Sequence, residues 1–285
     1  MKWIILLLFP IATYSQSLKN QITDYLSKQK GTYAVAYKNL KTGEVIYINE
    51  HELFHAASTM KTPVMVEVYN QAEKGKFSLT DSIPVTNEFK SIVDGSIYSL
   101  SPNDDSEQYL YTLNGAKQSI YDIMYKMIIV SSNLSTNLII DLVGAQNVMK
   151  TFYKLGAKES KILRGVEDTK AYQAGLNNLV SAYDLCLLFE KIAKGKAVSK
   201  KASQEMIKIL LDQKFNDAIP ARLPAGTKVA HKTGFITNIQ HDCGIVYLPN
   251  GQSYVLVLLT RDWDKHETGI EAMATVSEMI YKSLK

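Results

Sequence analysis

The chain has 285 residues, 46% of them hydrophobic and 21% charged, with a formal net charge of +4. That length and apolar content belong to a folded protein with one large core or two interleaved lobes, and they exclude a disordered chain. The lysines are scattered, with no basic run backed by interleaved aromatics, which excludes nucleic-acid binding; the two cysteines and five scattered histidines make no zinc pattern.

Met1-Lys2-Trp3, the apolar run 4–12 and Thr13-Tyr14-Ser15-Gln16 are the parts of a secretory signal peptide cleaved near Ser15. The run is too short to span a bilayer. Residues 1–15 are therefore expected to be a signal peptide and 16–285 the folded domain, located in the periplasm or secreted, with no stable membrane anchor. Leu18, Ile22, Tyr25 and Leu26 predict a helix over 18–29. Stretches 32–37 and 44–47, either side of Lys41-Thr42-Gly43, predict a hairpin. A helix follows over 58–75, ending at Gly75. Residues 87–117 are polar and irregular, more than a connection needs. Two helices are predicted over 118–142, broken near Ser131-Ser132-Asn133, and another over 147–155. Beyond a loop-like stretch, 160–180, come helices over 182–193 and 201–213. Stretches 227–232, 244–247 and 254–259 read as strands joined by short turns, which implies antiparallel pairing, and 267–283 as a closing helix. The expected fold is α/β (α+β): an antiparallel sheet lobe built from both chain ends, about 16–57 and 205–285, with an all-helical lobe, about 58–204, inserted between them. Cys186 in an apolar helical run and Cys243 beside a strand are expected to be separate buried thiols rather than a disulfide.

Three short motifs carry chemistry. In Ser58-Thr59-Met60-Lys61 a serine and a lysine three apart share a helix face. A serine hydroxyl needs a neighbouring base to become a nucleophile, and a lysine serves once burial or positive neighbours lower its pKa. Free N–H groups at the helix start are placed to stabilise an oxyanion. Ser131-Ser132-Asn133 offers a hydroxyl to pass a proton to a leaving nitrogen and an amide to hold a carbonyl. His231-Lys232-Thr233-Gly234, at a strand end, offers an ammonium and a hydroxyl to a carboxylate, with Gly234 leaving room for a substrate along the strand. Alone, each motif is equally a solvated helix pair, a helix cap or a turn. Together, Ser-x-x-Lys, Ser-x-Asn about 70 residues on and Lys-Thr-Gly about 100 residues later match the signature set of serine β-lactamases and penicillin-binding proteins.

On these residues the chain resembles the class A β-lactamases and their close penicillin-binding relatives over essentially its whole length after residue 15. The resemblance implies an α/β lobe plus a helical lobe with the site at their junction. It implies Ser58 as the acylated nucleophile, Lys61 as its proton-relay partner and Ser131 as proton donor to the leaving nitrogen. Asn133 contacts the substrate side-chain amide, Lys232 and Thr233 bind its carboxylate, and the N–H groups of Ser58 and Phe235 form the oxyanion hole. Asn137 braces the loop beneath the site. No metal and no cofactor are implied.

Three positions depart from the family pattern. Ser132 stands where an aspartate is usual. The family's Glu-x-x-Leu-Asn is matched at Leu176-Asn177, but the glutamate position holds Gln173. Glu167, close after Arg164, is either the base that activates the deacylating water or, with Asp168, a partner of Arg164 or a solvated residue. The strand after Lys-Thr-Gly carries His241 where an arginine is usual, so His241 or Arg222 is expected to help bind the carboxylate. Residues 87–100 are similar to a branch related to small penicillin-binding proteins. The expected activity is β-lactam ring opening through an acyl-serine intermediate, by a monomer acting on a small-molecule substrate. The rivals are a D,D-peptidase for D-Ala-D-Ala peptides that releases β-lactams slowly, and a non-catalytic binder of β-lactams or peptidoglycan fragments.

Overall fold

Residues 11–284 are described by a computed structural model; the expected signal segment lies outside them except for residues 11–15. Helix α1 (Ile11–Ser27) starts before the predicted 18–29. Leu18, Ile22 and Leu26 are buried whereas Gln16 and Ser17 are exposed, so the apolar spacing marks only the turns that pack.

The helices that follow are α2 (Lys61–Glu73), α3 (Ile120–Ile129), α4 (Asn133–Val143), α5 (Ala145–Lys154), the short α6 (Thr169–Gln173), α7 (Ala182–Ala193), α8 (Lys200–Leu211) and α9 (His266–Lys282). Ser119, Ser132, Ser181 and Ser199 cap α3, α4, α7 and α8, each side chain accepting from the N–H three residues on. This chemistry is why the predicted starts of these helices fall close to the observed ones.

The sheet joins the two ends of the chain. β1 (Thr32–Asn39) and β2 (Val45–Ile48) form the expected hairpin. β3 (Lys228–Ile236), β4 (Ile239–Tyr247) and β5 (Ser253–Arg261) come from the other end, and the spatial order is β2–β1–β5–β4–β3, antiparallel throughout. β3 runs past the predicted end at Lys232 because Thr233-Gly234-Phe235 keep pairing with β4 as far as a tight turn at Asn238, whose φ is 60°. Side chains alternate between two cores. Ala34, Ala36, Ile245 and Val257 face the helical side, where α7 covers β1, β4 and β5. Val35, Tyr37, Val246 and Leu256 face the side covered by α1 and α9. With both faces buried, the strands read as near-continuous apolar runs.

The segment entering Ser58 is tied to the far end of the 160–180 loop: Phe54–His55 pairs with Leu179–Val180, and the Ala56 N–H donates to the Asn178 carbonyl at 2.8 Å. Cys186 and Cys243 are free and buried, as expected. Among the described residues no helix is long and apolar enough to cross a membrane.

Candidate active site

Ser58 lies in a 3-10 turn, Ala57–Met60, that passes into α2 at Lys61. The N–H of Ala57 donates to His55 Nδ1 at 3.1 Å. β3 runs against this turn. A Cβ on Gly234 would lie 3.0 Å from the Ser58 nitrogen and 3.1 Å from that of Thr59. The space left by this glycine is thus filled by the protein's own Ser58 turn, which corrects the expectation that it makes room for substrate.

Lys61 has no exposed surface, and its Nζ donates to the Ser131 carbonyl (2.7 Å), Asn133 Oδ1 (3.0 Å) and Ser131 Oγ (3.3 Å). These bonds carry it to the Ser131–Asn133 segment rather than to the Ser58 hydroxyl. Lys232, equally buried, donates to Ser131 Oγ at 3.0 Å and to the Thr233 carbonyl at 2.8 Å. Two amines therefore converge on one hydroxyl. Burial and the neighbouring Lys232 hold the pKa of Lys61 well below its ordinary value, against the pull of Asp105 and Glu167. Burial pushes Lys232 down to about 7, against Cys243 and Asp242.

Six non-glycine residues have positive φ among the described residues: Asn49, Ala57, Ser131, Glu167, Asn238 and Asp262. Asparagine and aspartate tolerate that region. The other three, Ala57 (44°), Ser131 (59°) and Glu167 (61°), all sit at this site, and backbone held there against its preference clusters where function fixes geometry.

Glu167 Oε1 accepts from the Asn133 amide at 2.7 Å. Its carboxyl opens to the cleft, yet loss of water raises its pKa; Asp105 and Asp104 push the same way, while Asn133 and Lys61 oppose. Of the alternatives left open by the sequence, the pairing with Arg164 is not the one taken. The Arg164 guanidinium donates to Leu176 O (3.0 Å), Gly165 O (3.1 Å) and Asn177 Oδ1 (3.3 Å), closing its own loop. Asp168 caps α6 through the Ala171 N–H (3.0 Å) and accepts from Ser91 Oγ and the Ile92 N–H, both at 2.9 Å. Asn137 braces the loop from beneath: it accepts from the Val166 N–H at 2.6 Å and donates to the Val166 carbonyl at 3.0 Å. A Cβ on Gly165 would meet Asn137 Oδ1 at 2.1 Å, so only glycine admits this brace. Gln173 is exposed on α6.

The cleft comprises two recesses of about 340 and 370 Å³, with Ser58, Asn133 and Phe235 bordering both. Ser131, Thr233, Gln240 and His266 line the first, and Glu167, Arg164 and Tyr172 the second. His241 lies elsewhere. It is fully buried, with Nδ1 2.7 Å from the Gln240 carbonyl and Nε2 2.9 Å from the His55 carbonyl. Alternation along β4 turns its neighbour Gln240 to the cleft instead, which corrects the carboxylate-binding role expected of His241. Arg222 is occupied by Glu271 and Glu278. Gln240 and His266 (Nε2 to Gln240 Oε1, 3.0 Å), which line the cleft, and Asp105, whose Oδ2 accepts from the Asn133 N–H at 2.8 Å, are residues that the sequence reading missed. Each is a single side chain from a separate segment, and no local pattern marks it. Among the described residues no group of three or more His, Cys, Asp or Glu side chains is placed to hold a metal ion.

A family model described as "Beta-lactamase enzyme family" matches residues 17–284. The extended-spectrum beta-lactamase PER-1 of Pseudomonas aeruginosa is 23% identical over 96% of this chain and 89% of that protein. Among solved structures, PBP-A superposes with a TM-score of 0.81 at 26% identity, over 96% of this chain and 97% of that one. The TLA-3 extended-spectrum beta-lactamase gives 0.83 at 24% identity, over 95% and 99%, a likeness of fold.

Proposed function

This chain belongs to the β-lactamase enzyme family, as a class A-like serine hydrolase acting on β-lactams, and from that premise we propose how its residues divide the reaction. Ser58 Oγ attacks the lactam carbonyl carbon while its proton passes to the neutral amine of Lys61. The oxyanion is held by the N–H groups of Ser58 and Phe235. As the C–N bond breaks, Ser131 gives its proton to the departing nitrogen and is reprotonated from Lys61. Lys232 and Thr233 bind the substrate carboxylate, and Asn133 its side-chain amide. Water then attacks the acyl-serine, giving a proton to Glu167 as the carbonyl–Oγ bond breaks and Ser58 regains its hydrogen. No cofactor enters these steps. The apolar segment before Ser15 supports export as a signal peptide, with 16–285 as the working domain, acting as a monomer and conferring resistance to β-lactams.

The observation that carries this reading is the convergence of Lys61 and Lys232 on the Ser131 hydroxyl, at 3.3 and 3.0 Å, in the cleft that Ser58 borders. Glu167, hydrogen-bonded to Asn133 and open to the same cleft, supports its assignment as deacylation base.

The test is intact-protein mass spectrometry after adding benzylpenicillin, with Ser58→Ala as control. Consumption of penicillin with at most a transient adduct on the native chain, and neither on the variant, is the expected result. A persistent adduct that requires Ser58 favours a peptidase that deacylates slowly, and neither adduct nor consumption overturns the enzyme reading.

A further inference from the structure

We infer that Asp105 is the positioning residue for Ser131 and Asn133, supplying from a separate loop the carboxylate that the Ser131-Ser132-Asn133 motif lacks. The inference rests on the roles of Ser58 and Ser131 proposed above. Asp105 is buried, and its Oδ2 accepts from the N–H groups of Asn133 and Leu134, both at 2.8 Å, from the Tyr111 hydroxyl at 2.9 Å and from the Ser132 hydroxyl at 3.2 Å. Its Oδ1 accepts from the Glu107 N–H at 3.1 Å. The first N–H groups of a helix have no partner within it, and a negative charge is favoured beside them. Ser132, as N-cap of α4, satisfies only the Ser135 N–H, at 3.2 Å. The carboxylate that serves the two N–H groups before it comes from a residue far away in sequence.

A donor and a carboxylate clamp this segment from two sides. Lys61 takes the carbonyls of Ser131 and Ser132, at 2.7 and 3.5 Å, while Asp105 takes the N–H groups of Asn133 and Leu134. Ser131 needs the clamp, because its φ of 59° persists only where the surroundings over-determine it. In that conformation its carbonyl meets Lys61 while its hydroxyl stands 3.0 Å from Lys232. Without the Asp105 carboxylate the start of α4 loses two charge-assisted bonds together, and Ser131 relaxes away from both amines. The charge of Asp105 also reaches the groups across the cleft: it raises the pKa of Glu167 and of Lys61.

The experiment measures the rate of Ser58 acylation by benzylpenicillin, using rapid quench and mass spectrometry, in the native chain, Asp105→Ala and Asp105→Ala/Ser132→Asp. The single variant is expected to acylate about 10²-fold more slowly, the loss that misplacing a reacting group by ~1 Å produces. The double variant, which returns a carboxylate to the helix start, is expected to recover at least about tenfold of it. Asp105→Asn keeps shape and loses charge, so it covers the case in which Asp105→Ala does not fold. It is expected to acylate about tenfold more slowly, with the acid limb of its deacylation profile moved to lower pH. A side chain that acts through its shape alone leaves both the rate and that limb in place. A native chain that is never acylated overturns both this inference and the proposed function. With a native chain that is acylated, this inference alone falls on any one of three results: Asp105→Ala acylating at the native rate, a folded double variant no faster than the folded single one, or Asp105→Asn with both rate and limb unchanged.

Discussion

Lys61 and Lys232 meet the Ser131 hydroxyl from a helix start and a strand and have no exposed surface, whereas Glu167 reaches the cleft from an irregular loop and stays open to solvent. On the first wall, regular geometry fixes the partners: once α2 and β3 form, the two amines meet the Ser131 hydroxyl, the Asn133 amide oxygen and nearby backbone carbonyls. On the second wall nothing regular fixes Glu167. Its place depends on the Asn137 brace, the missing side chain of Gly165 and the closure of the loop by Arg164. A site built on spacing keeps its motif, while a site built on tertiary bonds keeps its geometry with a different spacing. That is how a loop with Gln173 at the usual glutamate position still presents a carboxylate.

The largest test of this division is Glu167→Gln. Deacylation is expected to fall by about 10²–10⁴, the usual worth of a general base, while acylation stays close to native, so that a benzylpenicillin adduct persists in the mass spectrum. Adding Gln173→Glu is expected not to restore turnover, since that side chain points to solvent from α6. An adduct that clears at the native rate in Glu167→Gln shows that the walls do not divide the reaction this way.

Two glycine substitutions probe the walls separately. Gly234→Ala sets a Cβ 3.0 Å from the Ser58 nitrogen, against backbone that has little freedom to give. Acylation is expected to fall about tenfold or more as the Ser58 turn shifts. Gly165→Ala sets a Cβ 2.1 Å from Asn137 Oδ1 and breaks the brace. The expected cost is about 1–3 kcal/mol in a denaturant titration, typical of overpacking, with deacylation slowed and acylation spared. Equal loss of both steps in either variant blurs the comparison.

The same contrast governs how much the sequence discloses. Helix starts at Ser119, Ser181 and Ser199 are legible because a capping hydroxyl acts within one turn. Ser58, Lys61 and Lys232 are legible because their chemistry repeats at fixed offsets. The end of β3 is not, because Thr233-Gly234 reads as a turn until β4 supplies its partners. His241 misleads because a one-residue step along β4 exchanges faces, and it is Gln240 that meets the cleft. Asp105 and His266 leave no trace in any local pattern, since what places them is the packing of distant segments.

The smallest expected effect concerns the rigid wall alone and runs through pH. Lys232 must be protonated to bind a carboxylate well, and burial has pushed its pKa down to about 7. Between pH 7 and 8 the protonated fraction of such a group falls about fivefold. The Kd of benzylpenicillin for Ser58→Ala, which binds without being acylated, is therefore expected to weaken about fivefold over that unit when followed by calorimetry. Stability moves in the opposite direction. The unfolded chain keeps this lysine protonated up to its ordinary value, near 10.4, so above pH 7 it holds more protons than the folded chain, and stability rises with pH across that window. Lys61, with its pKa also held down by burial, adds to the same trend. Weaker binding together with a higher Tm separates loss of the Lys232 charge from loosening of the fold. In Ser58→Ala/Lys232→Gln the affinity is expected to be poor and flat with pH. A fivefold slope that survives this substitution shows that Lys232 is not the group that sets it.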